Sequence, residues 1–134
     1  MKPGEYVVVS LSVSGKKRAL ARVVEYMGLT VRVELYRSKP ESVTERVLSL
    51  AQVVGGAEDS EALRAFQSVY LMKGAQMRRT RAGMTIGQLA RVVGVSPHTV
   101  KSAEAGTRKT HARVRLWIVE ALRRVEEKRV KGPS

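Results

Sequence analysis

The sequence predicts an α+β protein: a small antiparallel β-barrel or meander over residues 1–56, a connecting helix over 57–74 and an all-α domain over 75–130. Three observations lead there. From Glu5 to about Leu50 the apolar residues recur with a period of two, as in half-buried strands. After Gly55-Gly56 they recur at spacings of three and four, as on one face of a helix. Between the β runs stand Ser14-Gly15-Lys16-Lys17, Met27-Gly28 and Ser38-Lys39-Pro40-Glu41-Ser42, all rich in turn formers.

Four strands are expected, over about 5–13, 18–26, 29–37 and 44–50, with a short fifth at 51–54. In the first, Val7, Val9, Leu11 and Val13 share a face. In the third, Leu29, Val31, Val33 and Leu35 point one way and Thr30, Arg32, Glu34 and Tyr36 the other. Short consecutive strands of this kind curl, and closure into a barrel removes the exposed edges an open sheet leaves. The run from GEYVVVSL through ARVVEYMGLTVRVELY resembles SH3-like or Tudor-like small barrels, over about a third of the chain.

Gly55-Gly56 is expected to break the β pattern, and Glu58-Asp59-Ser60-Glu61 then puts acidic residues where a helix N-terminus favours them. Ala62, Leu63, Phe66, Val69, Tyr70 and Met77 fall mainly at helical spacing, with Gly74 separating this helix from one that begins near Ala75. Residues 84–106 read MTIGQLARVVGVSPHTVKSAEAG. Thr85 is placed to cap a helix whose third position is Gln88, a capping box, and Leu89, Ala90 and Val93 form its apolar face. Gly94 ends that helix, because glycine takes a positive φ without a Cβ clash. Ser96-Pro97 opens another as N-cap and first helical residue, with Val100 and Ala103 turned to the core. A last helix over about 111–128 carries Val114, Trp117, Ile118, Ala121, Leu122 and Val125, with Trp117 the expected plug of the core; dimerisation is an alternative use of the same stripe.

Composition narrows the function. Hydrophobic residues make up 43% and aromatics 4%, so the core is built from Val, Leu, Ala and Met, and a large enzyme with a deep apolar pocket is excluded. The absence of cysteine removes disulfides, thiolate nucleophiles and Cys-based zinc sites, and His98 and His111 are too few for a His-based metal site. No P-loop, H-E-x-x-H or G-x-S-x-G pattern is present, so neither catalysis nor a cofactor is expected. No apolar run approaches the ~20 residues of a membrane span, and MKPGEYVVVS lacks the parts of a signal peptide. A soluble cytoplasmic, nucleoid-associated protein is expected. Its 25 Lys+Arg against 12 Asp+Glu give a net charge of +13, unevenly spread: 11 against 8 over residues 1–77, and 14 against 4 over 78–134. Nucleic acid is the expected partner, since Lys and Arg displace its condensed counterions.

Arg79 stands four residues before Gly83, Met84-Thr85 opens a helix, Leu89-Ala90 follows, Gly94-Val95-Ser96 makes the turn, Thr99-Val100 lies in the next helix and Glu104-x-Gly106 ends it. Together, from Met77 to about Val125, these residues resemble the Cro/cI (Xre) family of helix-turn-helix repressors. The resemblance implies sequence-specific binding of double-stranded DNA and transcriptional control, as a repressor on an operator, of the kind phages and mobile elements carry. It also implies a structural ion pair between Arg79 and Glu104. The chain departs from the family where Ile86 replaces a glutamine that commonly meets a phosphate, and where Pro97-His98 replaces glutamines that commonly read adenine.

The expected DNA contacts are Thr85; Ser96, His98, Thr99, Lys101 and Ser102 along the recognition helix; and Arg108, Lys109 and Arg113 on the loop that the resemblance sets beside the phosphates. Thr99 has a second reading as a capping partner, and Arg78, Arg81 and Arg91 are flanking candidates. One such helix reads few bases, so a homodimer, or an N-terminal module that touches DNA or a protein partner, is expected to add a second contact. Two other functions stay open: an antitoxin, against which the net positive charge argues, and an architectural protein binding DNA or RNA without sequence preference.

Overall fold

The computed structural model describes residues 2–106 and 110–130. The chain is mixed α and β and divides into residues 1–63 and 64–134.

The first unit is a five-stranded antiparallel sheet of β1 (Tyr6–Ser10), β2 (Arg18–Tyr26), β3 (Thr30–Ser38), β4 (Glu41–Ser49) and β5 (Val53–Gly56), in the order β4-β3-β2-β1-β5. The first four strands form a meander, a 3-10 turn at Leu50–Gln52 returns the chain, and β5 pairs with β1. No pairing joins β4 to β5 among the described residues, so the sheet is open by its hydrogen bonds. The period-two alternation gathers Val7, Val9, Ala21, Val23, Val31, Val33, Leu35 and Leu48 into one buried cluster built from the strands alone.

Local chemistry overrides the alternation in four places. Leu11 and Val13 are exposed because β1 stops at Ser10. There the Leu11 N–H donates to the Lys17 carbonyl at 2.7 Å and the Lys17 N–H to Ser12 Oγ at 3.1 Å, folding 11–17 into a loop. Leu29 is 85% exposed, since Gly28, at φ +84°, turns the chain and β3 starts one residue later. Tyr36, expected to face outward, is buried and its hydroxyl donates to Glu41 at 2.5 Å. Gly55-Gly56 extends the sheet instead of ending it, pairing with Val8 and Val7.

Five helices follow among the described residues: α1 (Glu61–Leu71), α2 (Ala75–Arg81), α3 (Ile86–Val93), α4 (Pro97–Ala105) and α5 (Ala112–Val130). Ser60 Oγ accepts the Leu63 N–H at 3.1 Å at the start of α1, and Gly74, at φ +82°, separates α1 from α2. In the second unit Met72, Ala75, Leu89, Ala90, Val100, Ala103, Ile118, Ala121 and Leu122 form the core. Trp117 is not its plug, being 46% exposed, and Met77 is exposed as well. The inward face of α5 runs through Arg115, Ile118, Ala121 and Leu122, a stripe that leaves Trp117 beside it. No helix among the described residues is long and apolar enough to cross a membrane.

Candidate nucleic-acid interface

α3 and α4 are set by caps that their sequences specify. The Gln88 N–H donates to Thr85 Oγ1 at 3.1 Å and the Thr85 N–H to Gln88 Oε1 at 2.9 Å, a complete capping box. Gly94 closes α3 at φ +85°, its N–H and that of Val95 both donating to the Ala90 carbonyl, at 2.8 and 3.0 Å. One residue later Ser96 caps α4: its Oγ accepts the Thr99 N–H at 3.2 Å and lies 2.9 Å from Thr99 Oγ1, with Pro97 in the first turn. Gly106, at φ +66°, ends α4. An open groove of about 550 Å3 lies between the starts of the two helices, lined by Thr85, Gly87, Gln88, Ala90, Arg91, Val95 and Pro97.

A buried ion pair braces this arrangement. Arg79 on α2 reaches both carboxylate oxygens of Glu104 near the end of α4, through Nε to Oε2 at 2.7 Å and Nη2 to Oε1 at 3.2 Å, and its Nη1 donates to the Met84 carbonyl at 2.8 Å. The two side chains are 11% and 4% exposed. One guanidinium thus fixes α2, the chain entering α3 and the C-terminal end of α4, and neither charge is left without a partner.

The structure sorts the residues expected at DNA. His98 and Lys101 are exposed on α4, Thr85 is exposed at the start of α3, and Arg113 is exposed in the first turn of α5, its N–H donating to His111 Nδ1 at 3.1 Å. Ser96 is exposed with its hydroxyl committed to the cap, and Thr99, half-buried, is its capping partner. Ser102 does not face outward as expected: at 9% exposure it lies inward with Val100 and Ala103. Arg108 and Lys109 lie outside the described residues. Among the flanking candidates, Arg81 and Arg91 are exposed, but Arg78 is tied to Glu126 by Nε at 3.2 Å and Nη2 at 2.5 Å. Ile86 is partly buried against the core, which accounts for an apolar side chain at that position.

The electrostatics of the second unit follow from its few acids. Residues 64–134 hold 16 Lys+Arg and only four Asp+Glu, and every one of the four is in an ion pair: Glu104 with Arg79, Glu126 with Arg78, Glu120 with Arg123 and Arg124, and Glu127 with Arg123. Hydrogen bonds from Arg123 and then Arg124 hold the Glu120 carboxyl down at about 2, and the bond from Arg78 lowers that of Glu126. Among the described residues of this unit no carboxylate is left outside an ion pair, and none is paired with Lys101 or Arg113.

Arg115 escaped the sequence reading. It is buried, donating from Nε to Ser68 Oγ at 3.0 Å, from Nη1 to the Thr110 carbonyl at 2.6 Å and from Nη2 to the Ala65 carbonyl at 3.3 Å. It ties α1 to the entry of α5, and its signal was there: an arginine three residues before Ile118 and seven before Leu122, on the stripe that is otherwise apolar. Among the described residues no group of three or more His, Cys, Asp or Glu is placed to hold a metal. The chain matches no protein-family model, no curated protein and no solved structure.

Proposed function

We propose that the chain is a sequence-specific DNA-binding transcriptional regulator acting as a repressor, in which α3, the Gly94 turn and α4 work as a helix-turn-helix of the Cro/cI kind. One observation carries the reading: α4 is capped at its start, braced by the buried Arg79–Glu104 pair at its end, and leaves His98 and Lys101 exposed in a unit whose carboxylates are all spent on arginines. His98 and Lys101 are three residues apart, a rise of about 4.5 Å along one helix face. That is close to one base-pair step, so the two side chains address adjoining base pairs in a major groove. Lys101 donates to guanine O6 and N7 or to phosphate, and His98 to a base edge or phosphate. The exposed Arg113 and Thr85 contact the flanking backbone and fix the register.

In this reading the first unit is a small barrel of the SH3-like kind. Its strand order, with β5 returning to β1 across a 3-10 turn, and a core buried by the strands themselves both support a strongly curled sheet. Two copies of the chain, each supplying one reading helix, occupy a two-fold symmetric operator in the cytoplasm.

Selection of a random duplex library on the full chain at about 0.15 M salt tests the proposal, because diffuse backbone attraction is screened there. An enriched motif with internal two-fold symmetry is the expected result. The H98A/K101A double variant should then lose preference for that motif while still binding duplex at low salt. No enrichment by the full chain, or an unchanged motif in the double variant, overturns the assignment of α4.

A further inference from the structure

The sheet unit carries almost no net charge, with nine Lys+Arg against eight Asp+Glu over residues 1–63. That near-balance hides a separation. Pairing of Ser10 with Arg18, Leu20 with Tyr36 and Ser38 with Glu41 places the β1–β2 loop and the β3–β4 hairpin at the same end of the sheet. Lys16, Lys17, Arg18, Arg37 and Lys39, five of the nine cations, are exposed at that end. The carboxylate among them is Glu41, which accepts the Tyr36 hydroxyl. Elsewhere in the unit Arg22 is matched to Glu34, and Arg32 to Glu25 and Glu45. None of the five takes a carboxylate within ion-pair distance among the described residues.

The β1–β2 loop, which holds Lys16 and Lys17 and leads into Arg18 at the start of β2, is built. Besides the bonds that end β1, Arg18 Nε donates to the Gly15 carbonyl at 3.2 Å, the Ser12 and Ser14 hydroxyls lie 3.2 Å apart, and the Gly15 N–H donates to the Ser12 carbonyl at 3.1 Å. Five like charges held together repel one another, and a partner dense in negative charge relieves that repulsion. The spacing selects the partner. Strands about 4.8 Å apart put the two loops about 10 Å from each other. Over about 10 Å the two strands of duplex DNA together present about six phosphate charges, at one per ~1.7 Å of axis. An extended acidic peptide offers only about three, at ~3.4 Å per residue. We propose that this end of the sheet unit binds the sugar-phosphate backbone of duplex DNA, a sequence-independent contact additional to the one proposed for α4.

The test compares three forms of the full chain on a 30-base-pair duplex of arbitrary sequence, across a series of salt concentrations: wild type, K16A/K17A/R37A/K39A and H98A/K101A. Each lost phosphate contact removes about 0.9 from the slope of log K against log salt. The sheet variant should therefore lose about 3 to 4 from that slope, and H98A/K101A about 1. The half variants K16A/K17A and R37A/K39A should each lose about half as much as the fourfold one, which separates loss of contact from loss of fold. A slope unchanged in the sheet variants overturns the proposal. So does a larger loss of affinity for a 20-nucleotide single-stranded RNA than for the duplex, which would reassign the surface to RNA. If the assignment of α4 is the one that fails, H98A/K101A behaves as wild type while the sheet variants still lose slope.

Discussion

The two units handle charge in opposite ways. The sheet unit is nearly neutral but sorts its charges, matching Arg22 and Arg32 to acids and collecting five cations at one end. The helical unit has only four acids and commits all of them to ion pairs with arginines, so its excess of cations is general. Their cores differ in the same spirit. The sheet core is entirely apolar and packed by alternation, whereas the helical unit buries the guanidinium groups of Arg79 and Arg115. The net charge of a whole chain therefore says little about where a polyanion binds. What decides it is which acids are already committed.

The contrast is tested first at its strongest point. Glu104→Gln leaves Arg79 buried beside a neutral amide and should cost the helical unit about 3–5 kcal/mol. Trp117, the chain's one tryptophan and a residue of α5, reports that unfolding by fluorescence in urea. A loss below about 1 kcal/mol would mean that the pair is incidental to the fold. In the sheet unit the equivalent site is apolar: Val33→Ala removes two methyl groups from full burial and should cost about 2 kcal/mol, read as lost hydrogen-exchange protection of β2 and β3 amides. Thr85→Ala removes one half of the α3 capping box and should cost about 1 kcal/mol in the same urea titration. The smallest effect is acid sensitivity. The Glu120 and Glu126 carboxyls have folded pKa values below their ordinary one, so their contribution is present above that ordinary value and is lost as pH falls below it, for Glu120 toward about 2. Thermal melts of E120Q/E126Q should accordingly show a flatter dependence over that window than the wild-type chain. Identical slopes would show that these solvent-accessible pairs contribute nothing.

Much of the fold could be read ahead of the structure because it is local. Ser96-Pro97, Gly94 and Thr85 with Gln88 act within one helical turn, where sequence and conformation are tightly linked. Strand alternation located Val7, Val9, Val31 and Val33 in the core but ran past the ends of the strands at Leu11, Val13 and Leu29, because serine and glycine turn chemistry decides where a strand stops. Trp117 was misplaced for a different reason. Spacing marks a stripe about a third of the helix wide, and a residue at its margin falls outward when a buried arginine takes the inner position. At the candidate interface, side-chain type alone could not separate Ser102 from Lys101, since adjacent residues differ by 100° around a helix and only packing fixes which faces solvent. The clustering of Lys16, Lys17 and Arg18 with Arg37 and Lys39 was also hidden, because it is created by strand register across about 20 residues of sequence.

Among the described residues the nine-residue strand β4 pairs with β3 alone and leaves its other edge open, the kind of edge that invites identical chains to add strand upon strand. Its own side chains oppose that. An in-register stack of β4 would repeat Glu41, Glu45 and Arg46 every ~4.8 Å, each against its own kind, so the growing fibril would gather like charge with every added copy. The open sheet is in this way guarded against polymerisation by the charges along its own edge.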